Sequence, residues 1–212
     1  MAVLNLSAIL TDFQKNQGAV LHDTFRLMRQ FLKSPQSVGI LVPSSRELAT
    51  AMLEPVDFAN LSTIIEFGPG TGAITTSIVE RLPSTARYIG IELNSEFHKI
   101  LTTRFPQLTF VNKSADDTEA ILKSFGVDRV DAIICGLPWA SLPSGVQPAI
   151  LNAAQRCLKP GGVFITYAYL QGLVLPGAWA LRRRLRNRFS SITTTRIVWN
   201  NMPPAFAYVC RR

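Results

Sequence analysis

The stretch that most constrains the fold is residues 62–75, STIIEFGPGTGAIT, in which an apolar run ends in an acid and opens into three spaced glycines. The β-branched and aromatic residues at 64–67 are typical of a buried parallel strand. Gly68, Gly70 and Gly72 permit backbone angles and a close ligand approach that a Cβ would forbid. Apolar residues then recur at helical spacing. The stretch predicts a strand, a tight loop and a helix start whose free N–H groups face a nucleotide or a nucleoside.

Two acids distinguish between the cofactors that such a loop can hold. Gly68, Gly70 and Ala73 also fit the G-x-G-x-x-G/A pattern of nicotinamide-binding folds. Glu66, at the end of the predicted strand, can meet a cationic amino group but would repel a pyrophosphate, so it favours a zwitterionic amino-acid ligand. Glu92 ends the next apolar run. A carboxylate at this strand end accepts hydrogen bonds from ribose hydroxyls, both in nicotinamide-binding folds and in folds that bind a nucleoside joined to an amino acid.

Strand and helix patterns alternate along the rest of the chain. This alternation predicts an α/β fold with right-handed crossovers and the ligand outside the C-terminal ends of parallel strands. The last two strand patterns are separated by a short Asn/Pro-rich turn, which predicts an antiparallel hairpin. After the first unit, we predict strands at 87–92, 108–112, 130–136, 162–168, 191–199 and 205–210, and helices at 95–104, 118–125 and 144–158.

Three motifs together resemble those of class I S-adenosylmethionine-dependent methyltransferases: the ExGxGxG pattern from Glu66, the acid Glu92, and the run Cys135-Gly136-Leu137-Pro138-Trp139. The resemblance implies a Rossmann-like, seven-stranded, mostly parallel sheet with S-adenosylmethionine as cofactor. It also implies that Glu66 and the loop backbone hold the methionine portion, Glu92 the ribose, and Asp116 or its neighbours the adenine. The implied cofactor-binding residues are Glu66, Gly68, Gly70, Thr71, Gly72, Glu92, Leu93, Asn94, Ala115, Asp116, Cys135, Gly136, Leu137 and Pro138.

A second resemblance concerns the substrate. Residues 31–49 are similar, in their Pro, Val-Gly and Pro-Ser-Ser-x-x-Leu-Ala positions, to the N-terminal segment of bacterial phospholipid N-methyltransferases. This similarity implies methylation of phosphatidylethanolamine, through mono- and dimethyl states, toward phosphatidylcholine. In the same segment Ser44 and Glu47 fit a capping box, which predicts that a helix starts at Ser44.

The positive charge is concentrated in the C-terminal part of the chain. The net charge is +8; Asp131 is the last acid, and ten Lys or Arg residues follow it without a carboxylate. A surface of one charge sign indicates an anionic partner such as nucleic acid or acidic lipid.

Two stretches mix bases with apolar residues at helical spacing. We predict that residues 1–43 are an N-terminal amphipathic helical extension and that residues 44–212 are the methyltransferase domain. The extension suits either a membrane interface or ordinary packing on the domain. The second stretch, 173–189, interleaves apolar residues with Arg182, Arg183, Arg184, Arg186 and Arg188. Because both stretches share this mixture and no base-reading motif accompanies them, they favour an anionic phospholipid membrane over nucleic acid.

The residues expected to contact the methyl acceptor are predicted from the segment 136–139, at the end of the fourth predicted strand. Enzymes that methylate base or amide nitrogens carry Asn or Asp where Gly136 stands, so adenine methylation is disfavoured. Trp139 could cover an alkylammonium by cation–π contact, with packing over the cofactor as an equal alternative, and Tyr167 is a weaker candidate. Trp139 and Tyr167 are the predicted catalytic residues, and a lipid amine is the predicted substrate.

Composition sets the remaining expectations. Cys135, Cys157 and Cys210 are far apart, which predicts neither disulfides nor a metal site and suits a reducing cytoplasm. Glycines and prolines interrupt the uncharged run at 160–181, which argues against a membrane span. We expect a monomer, peripheral on the inner face of the cell membrane. The alternatives are an rRNA adenine N-methyltransferase and a non-catalytic cofactor-fold protein that binds anionic membrane or nucleic acid.

Overall fold

A computed structural model describes residues 45–140, 142–143 and 145–212. The predicted extension at 1–43 lies outside these residues, as does Ser44. The α-helices are α1 (Arg46–Leu53), α2 (Ala73–Val79), α3 (Ser95–Arg104), α4 (Thr118–Ser124), α5 (Val146–Cys157) and α6 (Pro176–Arg186). The strands are β1 (Thr63–Phe67), β2 (Arg87–Ile91), β3 (Thr109–Val111), β4 (Val130–Cys135), β5 (Leu158–Tyr169), β6 (Ser191–Thr194) and β7 (Ala205–Arg211). Three short 3₁₀ helices lie at Phe58–Asn60, Ala115–Asp117 and Leu170–Val174.

The strands form one seven-stranded sheet in the order β3-β2-β1-β4-β5-β7-β6. Strands β1 to β5 are parallel, whereas β7 runs antiparallel to both β5 and β6. The chain enters the sheet at its central strand β1 and continues outward through β2 to β3. It then crosses to β4, which lies on the other side of β1. This reversal creates a crevice at the C-terminal ends of β1 and β4, where ligands bind in open α/β sheets.

Both faces of the sheet are covered, so the central strands are apolar on both sides. On the face covered by α4, α5 and α6, the core includes Ile65 and Phe67 of β1. On the face covered by α1 and α2, it includes Ile64. We call these the α5 face and the α1 face. The side chains of Ile64, Ile65 and Phe67 are 0% exposed, which explains the continuous apolar run.

The predicted α/β fold, the mostly parallel seven-stranded sheet and the C-terminal hairpin are confirmed, and α3 has the predicted bounds. The prediction that the sixth strand reaches Trp199 is wrong, because β6 ends at Thr194. The hydroxyl of Thr195 accepts the Ala207 N–H at 2.9 Å, so a side chain replaces a backbone carbonyl in the ladder. Beyond it, Val198 and Ala205 form an isolated antiparallel bridge.

The predicted start of the first helix is also wrong by one residue. Ser45 is the N-cap of α1, and its Oγ accepts the Leu48 N–H at 3.1 Å. The Ser45 N–H in turn donates to Asn201 Oδ1 at 3.0 Å, while Glu47 accepts from Asn200 at 3.3 Å. Contacts with the β6–β7 connection therefore set the helix start. In α5, Val146 and Cys157 replace the predicted ends at 144 and 158.

Among the helices within the described ranges, none combines the length and the apolar composition needed to cross a bilayer.

Candidate active site

The glycine loop after β1 has the left-handed backbone that its composition predicts. Gly68, Gly70 and Gly72 have φ values of 64°, 59° and 88°. A Cβ on Gly68 would lie 2.6 Å from Leu137 Cδ2, and one on Gly72 would lie 2.6 Å from a ring carbon of Phe105. A Cβ on Gly70 would meet no atom within 4 Å. Gly70 is therefore needed for its backbone angle alone and leaves open space beside the loop.

The segment after β4 packs directly against this loop. The Gly136 N–H donates to Phe67 O at 2.8 Å, and a Cβ on Gly136 would lie 2.7 Å from Gly68 O. Because the obstructing atom belongs to the backbone, it could not move aside as a side chain would. The two loops thus meet backbone to backbone at the crevice between β1 and β4.

Glu66 lies fully buried beneath the loop on the α1 face. Its Oε2 accepts from the Tyr88 hydroxyl at 2.6 Å and from Thr75 Oγ1 at 2.7 Å. Burial raises the pKa of Glu66 to about 7, against the lowering effect of these two hydrogen bonds. Its Oε1 has no hydrogen-bond partner among the described residues. The sequence alone did not predict Tyr88 and Thr75 as partners of Glu66. The signal that could have identified Tyr88 is its place in the strand predicted next to β1.

Glu92 ties the end of β2 to the glycine loop. Its Oε2 accepts the Gly70 N–H at 3.0 Å, and its Oε1 accepts the Asn94 N–H at 2.9 Å. Burial raises the pKa of Glu92, and these N–H bonds oppose the rise. The Asn112 side chain, also missed, donates to the backbone carbonyls of Glu92 and Leu93 at 2.7 and 2.9 Å. Its position directly after β3 is the sequence signal that could have identified it.

The other predicted cofactor residues follow the same edge of the sheet. Leu93, beside Glu92, is 58% exposed, whereas the Asn94 side chain caps α3 by accepting the Glu96 and Phe97 N–H groups. Ala115 is buried and Asp116 is exposed, in the 3₁₀ helix that follows β3.

Thr71, Leu137 and Pro138 are half-buried around the crevice, and the Thr71 carbonyl accepts from Arg104 at 2.8 Å. The Cys135 thiol is buried in the core, and burial raises its pKa to about 12, so only its backbone is available to a ligand. The fourteen predicted residues therefore lie at or after the C-terminal ends of the four adjacent strands β3, β2, β1 and β4.

The two predicted catalytic residues are not brought together. Trp139 is 7% exposed and packs in the core of the α5 face, and its Nε1 donates to Thr166 Oγ1 at 2.7 Å. Gln147 Nε2 donates to the Trp139 carbonyl at 2.8 Å. Trp139 is thus a packing residue of the core, and its predicted packing over the cofactor stays a prediction. Tyr167 packs on the opposite, α1 face, where its ring contacts Tyr169 edge to face at 5.5 Å.

These residues fit S-adenosylmethionine. Glu66 offers a buried carboxylate oxygen without a hydrogen-bond partner in the described part of the chain, which suits an ammonium group because a buried acceptor is costly when left unpaired. Glu92 presents a second carboxylate twenty-six residues further on, at the adjacent strand end, and Gly70 leaves room beside both. Within the described ranges, no group of three or more His, Cys, Asp or Glu side chains could hold a metal ion.

Comparison with known proteins agrees with this geometry. Residues 64–162 match the family model described as a methyltransferase domain. Over 194 residues the chain is 28% identical to an ornithine lipid N-methyltransferase from Singulisphaera acidiphila, covering 90% of this chain and 97% of the relative.

Solved structures show the same fold. An S-adenosylmethionine-dependent O-methyltransferase from Thermotoga maritima superposes with a TM-score of 0.59 at 16% identity, covering 86% of this chain and 71% of that one. The CurJ carbon methyltransferase superposes with a TM-score of 0.57 at 19% identity; 75% of this chain is covered, but the match spans half of the CurJ chain. Residues 64–162 therefore match a methyltransferase domain, the chain has the fold of these solved methyltransferases, and the site fits the predicted cofactor S-adenosylmethionine.

Proposed function

We propose that this enzyme N-methylates phosphatidylethanolamine and its methylated intermediates toward phosphatidylcholine, acting as a peripheral enzyme on the inner face of the cell membrane. The observation that carries the proposal is a surface on α6 that is apolar at the start of the helix and cationic along its exposed side. Leu181 and Leu185 of this helix are buried, whereas Arg182, Arg183 and Arg186 are exposed.

The exposed arginines are available to an external anion. No carboxylate among the described residues lies within ion-pair distance of Arg182, Arg183 or Arg186. By contrast, Arg184 donates to Gln147 Oε1 at 2.9 Å and Arg188 donates to Asn152 Oδ1 at 2.7 Å. Three of the five predicted lipid-contacting arginines therefore face outward, while two anchor α6 to α5.

Exposed apolar side chains adjoin this cationic surface. Val174, Leu175 and Trp179, at the junction between the 3₁₀ helix Leu170–Val174 and α6, are 83%, 53% and 69% exposed. Apolar and indole side chains beside bases are the composition of a surface that enters a bilayer interface, where each base contributes about 1 kcal/mol. The same mixture is less suited to nucleic acid, because no base-reading motif accompanies it.

A lipid amine as acceptor is supported by the relative from Singulisphaera acidiphila, whose name assigns it N-methylation of ornithine lipid. That name also favours ornithine lipid as a second candidate acceptor. Both acceptors present an amine beside a negatively charged group, which the outward arginines of α6 can meet.

The reaction requires alignment and an unprotonated amine more than it requires a catalytic group. Held by Glu66, Glu92 and the glycine loop, the cofactor would supply an electrophilic methyl group on a sulfonium, and the amine that accepts this group would give up a proton. An aliphatic amine is about 99.9% protonated at neutral pH, so the site must favour its neutral form. The close packing of Gly136 and Leu137 on the glycine loop would supply the rigid positioning.

Adenine methylation in rRNA is disfavoured by the structure of the same segment. A side chain on Gly136 would meet the Gly68 carbonyl, so the segment has no room for the amide or carboxylate that an adenine amino group requires.

The test is incubation of the purified full chain with S-adenosylmethionine and liposomes that contain phosphatidylethanolamine, ornithine lipid or neither, followed by lipid mass spectrometry. We expect mass increments of whole methylene groups on phosphatidylethanolamine. Increments on ornithine lipid alone would transfer the assignment to that lipid. Methyl incorporation into RNA without incorporation into either lipid would reject the proposal.

A further inference from the structure

A cleft separate from the glycine loop lies on the α5 face of the sheet, between the start of α6 and the C-terminal hairpin. Its volume is about 360 Å³, within the range of small-molecule sites. Most of its lining is apolar, contributed by Leu170, Leu173, Ala178, Trp179, Ile197 and Phe206. The Trp179 Nε1 donates to the Leu173 carbonyl at 2.8 Å, which fixes the indole across the wall of the cleft.

A positive charge lies at one side of this apolar cleft. Arg182 supplies this charge and lines the cleft together with Tyr208 of β7. Burial raises the pKa of Tyr208, and the positive charges of Arg182 and Arg186 oppose the rise. An apolar cleft bordered by unpaired cations is complementary to an acyl chain attached to an anionic group.

The cleft is on the acceptor side of the sheet. Leu170 directly follows the end of β5, a strand that extends three residues past Thr166, the partner of Cys135 at the end of β4. Phe206 is the second residue of β7. β7 is two strands from β4, about 10 Å at the usual strand spacing, on the opposite side of the crevice from Glu92.

The surface around the cleft is continuous with the exposed apolar residues already described. Val174 and Leu175 lie in the chain between the lining residues Leu173 and Ala178, and both are exposed. A lipid could therefore enter from a bilayer surface without crossing a polar barrier along this segment.

We propose that this cleft binds one acyl chain of the lipid acceptor while Arg182 lies beside the lipid's anionic group, so that the enzyme selects acceptors by their chain as well as by their amine. This inference rests on the proposed function. The segment 170–179 then has two roles, as a membrane contact and as one wall of the acyl site.

The test uses a pair of matched substitutions on α6. Ala178→Phe fills the cleft, whereas Ala180→Phe introduces the same ring two positions further on, at a residue that does not line it. Both proteins are compared with wild type for thermal unfolding. The value of kcat/KM is then measured for long-chain and short-chain phosphatidylethanolamine in the same neutral detergent, so that vesicle binding does not contribute.

We expect Ala178→Phe to lower the long-chain to short-chain ratio of kcat/KM by about tenfold or more, the effect of excluding roughly two methylene groups, and Ala180→Phe to leave the ratio unchanged. An unchanged ratio in Ala178→Phe, with phosphatidylethanolamine still methylated, would overturn the acyl site and leave the proposed function intact.

A binding measurement separates the two failures. Below its micelle concentration, a lysophosphatidylethanolamine with a brominated chain should quench tryptophan fluorescence in a Trp199→Phe background, which keeps the exposed Trp179 and the buried Trp139. Ala178→Phe should abolish this quenching, and so should Trp179→Phe. Quenching without methylation of any phosphatidylethanolamine would support the acyl site while rejecting the proposed acceptor. Loss of a dimer in Ala178→Phe, detected by light scattering, would show that a second copy fills the cleft and would overturn the proposal.

Discussion

Gly136 and Glu66 are the two residues whose environments explain most about the site. Gly136 lies where a side chain would strike the Gly68 carbonyl, so its identity is set by contact between two loops. Glu66 is a buried carboxylate held by two hydroxyls, with one oxygen left without a partner in the described residues. Both residues therefore contribute through close packing at the crevice rather than through exposed chemistry.

Gly136→Ala should disturb both stability and cofactor binding, because the new methyl group would lie 2.7 Å from a backbone oxygen. We expect a loss of about 1–3 kcal/mol in the free energy of unfolding, typical of overpacking, together with weaker binding of S-adenosylmethionine. Denaturant titration and calorimetry measure the two effects. The control is Gly145→Ala, where a Cβ would meet no atom within 4 Å; equal behaviour of the two variants would contradict the prediction.

Glu66 should make the stability of the cofactor-free protein depend on pH. Its pKa is about 7 when folded, against 4.5 when exposed, so between these values the folded chain holds one more proton than the unfolded chain. The free energy of unfolding should then fall by roughly 3 kcal/mol as the pH rises from about 4.5 to about 7.

Denaturant titrations across this pH range measure the effect, and Glu66→Gln should remove it. The exposed Glu96→Gln serves as control and should keep the wild-type profile. An identical pH profile in Glu66→Gln and wild type would show that Glu66 does not titrate in this range.

Glu92→Ala should weaken binding of S-adenosylmethionine at least tenfold. The substitution removes the carboxylate predicted to hold the ribose hydroxyls, and it also releases the Gly70 N–H of the glycine loop. Hydrogen bonds to a charged group each contribute about 1.5–3 kcal/mol. Calorimetric titration measures the change; unchanged affinity would mean that the ribose lies elsewhere.

At the scale of the element, the arginines of α6 and of the turn that follows it point in two directions. Leu181 and Leu185 bury one side of the helix, Arg184 and Arg188 bond to α5, and the remaining three arginines point outward. Gln147 accepts from Arg184 and donates to the Trp139 carbonyl, which connects α6 to the segment that closes the crevice. The helix thus has an anchoring side and a free cationic side.

Substituting each side separately should separate their effects. Replacing the outward set, Arg182, Arg183 and Arg186, with Gln should lower affinity for anionic vesicles by about 100-fold, since each base contributes about 1 kcal/mol. Vesicle cosedimentation measures this change, and the melting temperature should stay near that of wild type.

Replacing Arg184 and Arg188 with Gln is the matched control. These side chains make intramolecular hydrogen bonds, so the double variant should lose stability and lose less vesicle affinity than the triple variant. The reverse pattern would show that the inward arginines are the membrane contacts.

At the scale of the whole molecule, charge is separated along the chain. Among the residues that the structure describes, three bases of the acid-free C-terminal region pair with acids, in Arg156–Glu119, Lys159–Asp131 and Arg196–Glu54. None of these three pairs includes Arg182, Arg183 or Arg186, so the outward face of α6 keeps its positive charge.

Binding of the full chain to anionic vesicles should therefore weaken strongly between about 0.1 and 1 M salt, as the Debye length falls from about 10 to about 3 Å. Binding to neutral vesicles should be weaker and nearly independent of salt, because only the apolar residues contribute there. Cosedimentation at both salt concentrations measures the difference; equal, salt-insensitive binding to both vesicle types would contradict an electrostatic contact.

The amino-acid sequence alone predicted the fold class and the position of the crevice, while the methyltransferase reaction was implied by the resemblance of its motifs to a known family. Local patterns are sufficient for these features, because apolar periodicity specifies each element and glycine spacing specifies a left-handed loop. The same patterns located Glu66, Glu92 and residues 135–138 at strand ends, and a parallel sheet brings strand ends to one edge.

Only the tertiary structure decided the features that depend on residues distant in the chain. Asn201 sets Ser45 as the helix cap, Thr195 ends β6, and Thr166 holds the Trp139 ring inside the core. The division of the α6 arginines and the cleft beside Trp179 belong to the same group, because hydrogen bonds and burial between separate elements have no signature in local periodicity. Contacts of this kind decide which polar side chains remain free to meet a ligand.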